Sequence, residues 1–111
     1  MLLESQGYGV EKASNGLQAL EKAQNQEFAL VISDIRMPGM DGIELVKRLR
    51  EMNAELGRKP IPEILITAYA DENTYLKALR LKVTDYIYKP FDMSQFLELI
   101  AKRLSSSLSE K

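Results

Sequence analysis

The stretch FALVISDIRMPGMDG, residues 28–42, decides the fold. Its first part, Phe28–Asp34, is apolar almost throughout and closes on an acid. A run of that kind fits a strand covered on both faces, as in a parallel sheet. The next residues, through Pro38 and Gly39, read as a turn. Asp41 suits a helix N-cap, and Glu44 three residues on completes a capping box. Ile43, Val46, Leu49 and Met52 then recur at helical spacing over residues 43–56, and Gly57 stops the helix.

The same alternation extends in both directions. Upstream, Tyr8–Ser14 (YGVEKAS) reads as a weak strand with Val10 its one strong β-former. A helix over 17–26 follows, with Leu17, Ala19, Leu20 and Ala23 on one side, Asn15 as cap and Gln18 at N3. Downstream come a strand at Ile61–Thr67 (IPEILIT), a helix at Glu72–Lys82 capped by Asp71, a strand at Asp85–Lys89 (DYIYK), and a helix at Asp92–Leu104 capped by Asp92. The order βαβαβαβα predicts an α/β fold with a parallel sheet. Residues 1–104 form one domain and 105–111 (SSSLSEK) a flexible tail. Met1–Gln6 followed by Gly7 reads as the last turn of a helix and its C-cap, too short to stand alone.

Composition narrows the chemistry. The chain has 111 residues and a net charge of −1, without the positive field of a nucleic-acid domain. It contains neither Cys nor His, which removes disulfides, thiolate nucleophiles, Ser-His triads and most zinc sites. No apolar run approaches the roughly 20 residues of a membrane span, and MLLE is no signal peptide. In open α/β sheets, ligands sit outside the carboxyl ends of the strands. Three such ends carry Asp34, Thr67 and Lys89. Singly, each has an ordinary reading: a turn acid, a β-former, a surface charge. Together they suit a carboxylate that accepts a phosphoryl group, with a hydroxyl and an ammonium to meet the transferred charge. On these residues alone the structural and functional readings stand level.

The local strings ISDIRMPGMDG (32–42), ITAY (66–69), DYIYKPF (85–91), LLESQGY (2–8) and NGLQAL (15–20) resemble the receiver domain of two-component response regulators, in register over essentially the whole chain. The resemblance implies a flavodoxin-like, doubly wound parallel sheet, a cytoplasmic location, and phosphorelay signalling with a sensor histidine kinase or phosphotransfer protein as partner. It implies Asp34 as phosphoacceptor, Thr67 as switch hydroxyl, Lys89 as the ammonium beside the phosphate, and a cis bond before Pro90. Tyr86 matches the aromatic that turns inward on activation. Ala68 matches the small residue that admits the donor. Arg36 and Tyr69 hold the positions that tune dephosphorylation. The expected cofactor is Mg²⁺, held in part by Asp34 and the Arg36 backbone carbonyl.

Two departures from the family stand out. At Lys82-Val83 many relatives carry Gly-Ala, so the helix over 72–82 needs another way to end. At the start, the family's first, central strand with its acidic pair, and most of the first helix, are missing, on the order of 20 residues. No acid in residues 1–10 replaces that pair, so Mg²⁺ binding and Mg²⁺-dependent phosphorylation are expected to be weak. Three arrangements stay open. The chain is a fragment or mis-started product; or it pairs its first two strands directly; or it forms a homo-oligomer through exposed strand edges or the 72–83 helix, whose Leu76, Leu79, Leu81 and Val83 are many for a half-exposed element. The alternative function is a phosphorylation-independent interaction module on the same scaffold. An Asp-nucleophile phosphatase is disfavoured, because Arg36 stands where such enzymes place a second acid; no enzymatic activity, nucleic acid or membrane is expected.

Overall fold

Phe28–Asp34 is a strand, as its sequence predicts, and six of its seven residues are buried. The computed structural model describes residues 2–5, 9–37, 39–68 and 72–109, with side chains between residues 11 and 104. The elements are β1 (Leu2–Ser5), β2 (Gly9–Lys12), α1 (Gly16–Asn25), β3 (Phe28–Asp34), α2 (Gly42–Glu55), β4 (Glu63–Thr67), α3 (Glu72–Leu81), β5 (Asp85–Tyr88) and α4 (Met93–Ser109).

One five-stranded sheet has the order β2-β1-β3-β4-β5. β3, β4 and β5 pair in parallel. β1 is antiparallel to both of its neighbours, so β2 runs in the same direction as β3. Four strands thus share one direction and only β1 opposes them. The class is flavodoxin-like α/β, and among the described residues no parallel strand stands between β2 and β3, as the sequence indicates.

The expectation that Met1–Gln6 ends a helix does not hold for Leu2–Ser5, which forms β1; Gly7 lies outside the described residues. The first two strands of the sequence reading, β2 and β3, do not pair directly either. An open slot between them would leave two rows of buried backbone donors and acceptors without partners, at a cost of about 1–3 kcal/mol for each group. LLES fills that slot. Its register runs Leu2↔Ile32, Leu3↔Val31, Glu4↔Leu30, with an irregularity between Glu4 and Ser5.

Two faces of the sheet carry separate cores, because alternate strand residues point to opposite sides. Leu30, Ile32, Ile64 and Ile66 pack with Phe96, Leu99 and Ile100 of α4. Val31 packs with Ala19 and Ala23 of α1 and Leu45 and Leu49 of α2. Leu65 meets Ile43 and Val46 of α2 and Ala78 of α3. Leu81 and Val83 pack half-buried against this last group, whereas Leu76 and Leu79 face outward, 41% and 52% exposed.

The helix ends follow local chemistry. Asn15 caps α1 by accepting from the Gln18 N–H at 2.9 Å, and the Gln18 side chain accepts from the Ser14 N–H in return. Asp41 caps α2 by accepting from the Glu44 N–H at 2.8 Å, but Glu44 pairs with Arg48 instead of closing the box. Asp92 accepts from the Ser94 N–H ahead of α4, while Asp71 lies outside the described residues. Gly57 ends α2 at φ +70°, with the Arg58 N–H returning to the Asn53 carbonyl. Lys82 ends α3 in the same way at φ +57°, with the Val83 N–H reaching the Ala78 carbonyl. The missing glycine is therefore met by a lysine held in the left-handed region. The backbone of α4 runs past residue 104 to Ser109.

Candidate functional site

Three adjoining strand ends build the site. β3 closes on Asp34, whose backbone stands opposite Ile66 of β4. The ladder continues one step further, with the Ile35 N–H donating to the Ile66 carbonyl at 2.9 Å. β4 closes on Thr67, which is buried. The Lys89 N–H donates to the Thr67 carbonyl at 2.8 Å, and the bond from Lys89 to Pro90 is cis. This brings the Lys89 ammonium Nζ to 2.9 Å from Asp34 Oδ1. Both side chains remain nearly half exposed, 46% and 43%. The pair is open to an incoming group, and its own contribution to stability is small, about 0–1 kcal/mol.

The loop after Asp34 is shaped by glycine. Gly42 opens α2 with its N–H donating to the Ile35 carbonyl at 2.7 Å. A Cβ there would stand 2.7 Å from the Asp34 carbonyl oxygen and 3.0 Å from Ile35 Cα. Any larger residue would drive the helix start into the backbone that carries the acid. This close approach gives Gly42 a direct part in placing Asp34. Gly39, at φ +79°, has open space around it, so its glycine meets a backbone need.

Around this centre, Arg36 is exposed beside the loop and Ala68 is exposed just past Thr67; Tyr69 lies outside the described residues. Tyr86 sits on the face of β5 that packs against α2 and α3, with its hydroxyl buried. Its ring meets Tyr75 and Tyr88 edge-on, with centroids 5.3 Å away in each case. Sequence reasoning found Tyr86 but not its two aromatic neighbours, which no local pattern marks. It also missed two arginine forks. Arg103 of α4 donates to both oxygens of Asp85 at 2.7 and 2.9 Å, fastening the start of β5. Arg50 of α2 donates to both oxygens of buried Glu63 at 2.9 and 2.6 Å. Hydrogen bonding to these carboxylates holds both guanidiniums above their ordinary pKa. Both forks lie toward the opposite end of the strands from Asp34.

Comparisons with known proteins point the same way. A family model described as the response regulator receiver domain matches residues 1–101. The transcriptional regulatory protein ZraR of Klebsiella oxytoca is 41% identical over 110 residues, covering 98% of this chain and 24% of that protein. The regulatory protein AtoC of Escherichia coli K12 is 44% identical over 98 residues, covering 88% of this chain and 20% of that protein. The chain thus spans about a quarter or less of the length of these relatives. Among solved structures, a CheY-like receiver domain protein from Methanospirillum hungatei superimposes with a TM-score of 0.80 at 30% identity, covering 95% of this chain and 80% of that one. A match running from the first residue to within the last helix makes this chain a member of the response regulator receiver domain family.

Proposed function

We propose that this domain accepts a phosphoryl group on Asp34 within a two-component phosphorelay, and that Thr67, Lys89 and Tyr86 convert that event into a change of shape. The observation that carries the reading is the 2.9 Å contact of Lys89 Nζ with Asp34 Oδ1, at strand ends that also present Thr67. The donor would be a phosphohistidine on a sensor kinase or phosphotransfer protein. Asp34 Oδ attacks phosphorus as the N–P bond breaks, the histidine nitrogen keeps the electron pair, and an acyl phosphate forms. The phosphoryl group brings nearly two negative charges and new acceptor oxygens. Lys89 then moves from the carboxylate to a phosphoryl oxygen, and the Thr67 hydroxyl donates to another. Both moves pull on the ends of β4 and β5, and Tyr86, earlier on β5, packs against α3. Ala68 leaves room for the donor, and Arg36 and Tyr69 hold the sequence positions that tune dephosphorylation in the family.

Receiver domains use Mg²⁺ for this transfer, and the residues present do not fit the ion. Mg²⁺ wants near-octahedral oxygen coordination. Asp34 and the Arg36 carbonyl supply part of it, and no group of three or more acids placed to hold a metal ion occurs among the described residues. The reversed direction of β1 works against a replacement. Glu4 pairs with Leu30, four residues before Asp34 and roughly 13 Å away along the strand. We therefore propose that Mg²⁺-dependent phosphorylation of this polypeptide is weak. The same deficit favours a second reading, in which the scaffold binds a partner without being phosphorylated and the Lys89–Asp34 pair simply closes the site.

Beryllofluoride binding with and without Mg²⁺, compared between the chain and Asp34→Ala, separates the two. Binding that needs Asp34 supports the acceptor reading. Absence of binding at any metal concentration supports the interaction module.

A further inference from the structure

We infer that α3 is a lever pinned at its C-terminal end, and that Arg50 is the pin. The pin is argued independently of the phosphoacceptor reading, and only the swing driven from Thr67 or Tyr86 rests on that reading. Arg50 reaches from α2 to three acceptors, both carboxylate oxygens of Glu63 and the main-chain carbonyl of Leu81, the last residue of α3. Glu63 is itself immobile: it is 5% exposed, begins β4, and its N–H donates to Thr84 Oγ1 at 3.0 Å. One planar guanidinium thus clamps α2, the start of β4 and the end of α3. A fork of this kind fixes direction as well as distance. The clamped turn is closed a second time by the Lys82 and Val83 amides, which return to Leu79 and Ala78.

The other half of the helix is held differently. Ala78 is the one buried residue of α3, and none of residues 72–77 is buried. In the N-terminal half, exposed Tyr75 meets Tyr86 edge-on. That half follows Thr67 by a few residues, so the mobile end of the lever lies nearest the strand ends and the fixed end farthest from them. Displacement at Thr67 or Tyr86 is then expressed as a swing about residues 78–83, not as a translation of the whole helix. Local stability that differs along one helix is what hydrogen exchange resolves.

The test is residue-resolved amide exchange on the full 111-residue chain, corrected for intrinsic rates. The amides of Leu76 and Lys77, in the first turns of α3, are expected to exchange at least about tenfold faster than those of Lys82 and Val83, which close its C-terminal end. In Arg50→Met, exchange at 82–83 rises until the ratio approaches one, while β3 and β4 keep their protection. Should that variant fold poorly because Glu63 is left charged and unpartnered, the double variant Arg50→Met, Glu63→Gln removes the fork without stranding a charge. Equal exchange at both ends of α3 in the unaltered chain overturns the inference. So does an Arg50 variant whose exchange rises uniformly across helix and sheet, because that marks general destabilisation instead of a released pin.

Discussion

Replacing Gly42 by alanine probes the coupling between the loop and the acid most sharply. The added Cβ would lie 2.7 Å from the Asp34 carbonyl oxygen, about 0.7 Å inside ordinary van der Waals contact, and 3.0 Å from Ile35 Cα. Both obstacles are backbone, so no side chain can turn aside. Either α2 retreats, lengthening the 2.7 Å bond from the Gly42 N–H to the Ile35 carbonyl, or β3 yields at Asp34. Overpacking of this kind costs about 1–3 kcal/mol. The gain of about 0.5–1 kcal/mol that alanine brings applies to a helix interior, and Gly42 is the first residue of α2, so little of it offsets this cost. At about 4–8 °C per kcal/mol for a domain near this size, the expected fall in Tm is roughly 4–24 °C. Urea unfolding supplies the free energy, and Gly39→Ala is the comparison. That residue has open space for a Cβ but sits at φ +79°, so its cost is about 1 kcal/mol from backbone alone. A Gly42→Ala chain within about 0.5 kcal/mol of the parent by the linear extrapolation of urea unfolding refutes the reasoning, because the close approach would then not constrain the loop.

Further outcomes follow from single residues. Lys82 ends α3 at φ +57°, so Lys82→Gly is expected to be more stable than Lys82→Ala by about 1 kcal/mol; the opposite order, normal for a helix interior, contradicts the assignment. Asp34→Ala should change unfolding free energy by less than about 1 kcal/mol, because the half-exposed pair with Lys89 is weak; a larger loss would give Asp34 a structural role that its exposure does not support. The Arg50 pKa is raised, chiefly by its hydrogen bond to Glu63. For a cation with a raised folded pKa, the linked stability is fully present below the ordinary arginine value and is lost only as pH rises beyond it. The Tm difference between the chain and Arg50→Met should therefore stay constant from about pH 7 to 10; a difference that shrinks across that range contradicts it.

Phe28–Asp34 and Glu63–Thr67 were legible in the sequence because a buried parallel strand must be apolar on both faces, and little else is compatible with FALVISD or EILIT. Asn15, Asp41 and Asp92 were legible for an equally local reason, since capping involves residues three apart. Leu2–Ser5 was not. LLES carries no period that separates helix from strand, and its state is decided by an open slot between β2 and β3, which only the assembled sheet defines. Asp34, Thr67 and Lys89 could be grouped in advance because strand ends of a parallel sheet converge. The Arg50–Glu63–Leu81 clamp could not, since its members lie 13 and 31 residues apart and none belongs to a motif. Gly42 fell between these cases: Asp41 beside it marked a helix start, but the 2.7 Å approach to Asp34 is a fact of packing.

The most direct measurement is the intact mass of the 111-residue chain after incubation with a small acyl phosphodonor and Mg²⁺, beside Asp34→Ala. The expected result is a single phosphoryl group on a minor fraction of the chains, absent from the variant. Label that persists in Asp34→Ala contradicts the assignment of the acceptor. Complete labelling of the parent contradicts the argument that its metal site is unfit, and no label at any dose shifts the account to the interaction module.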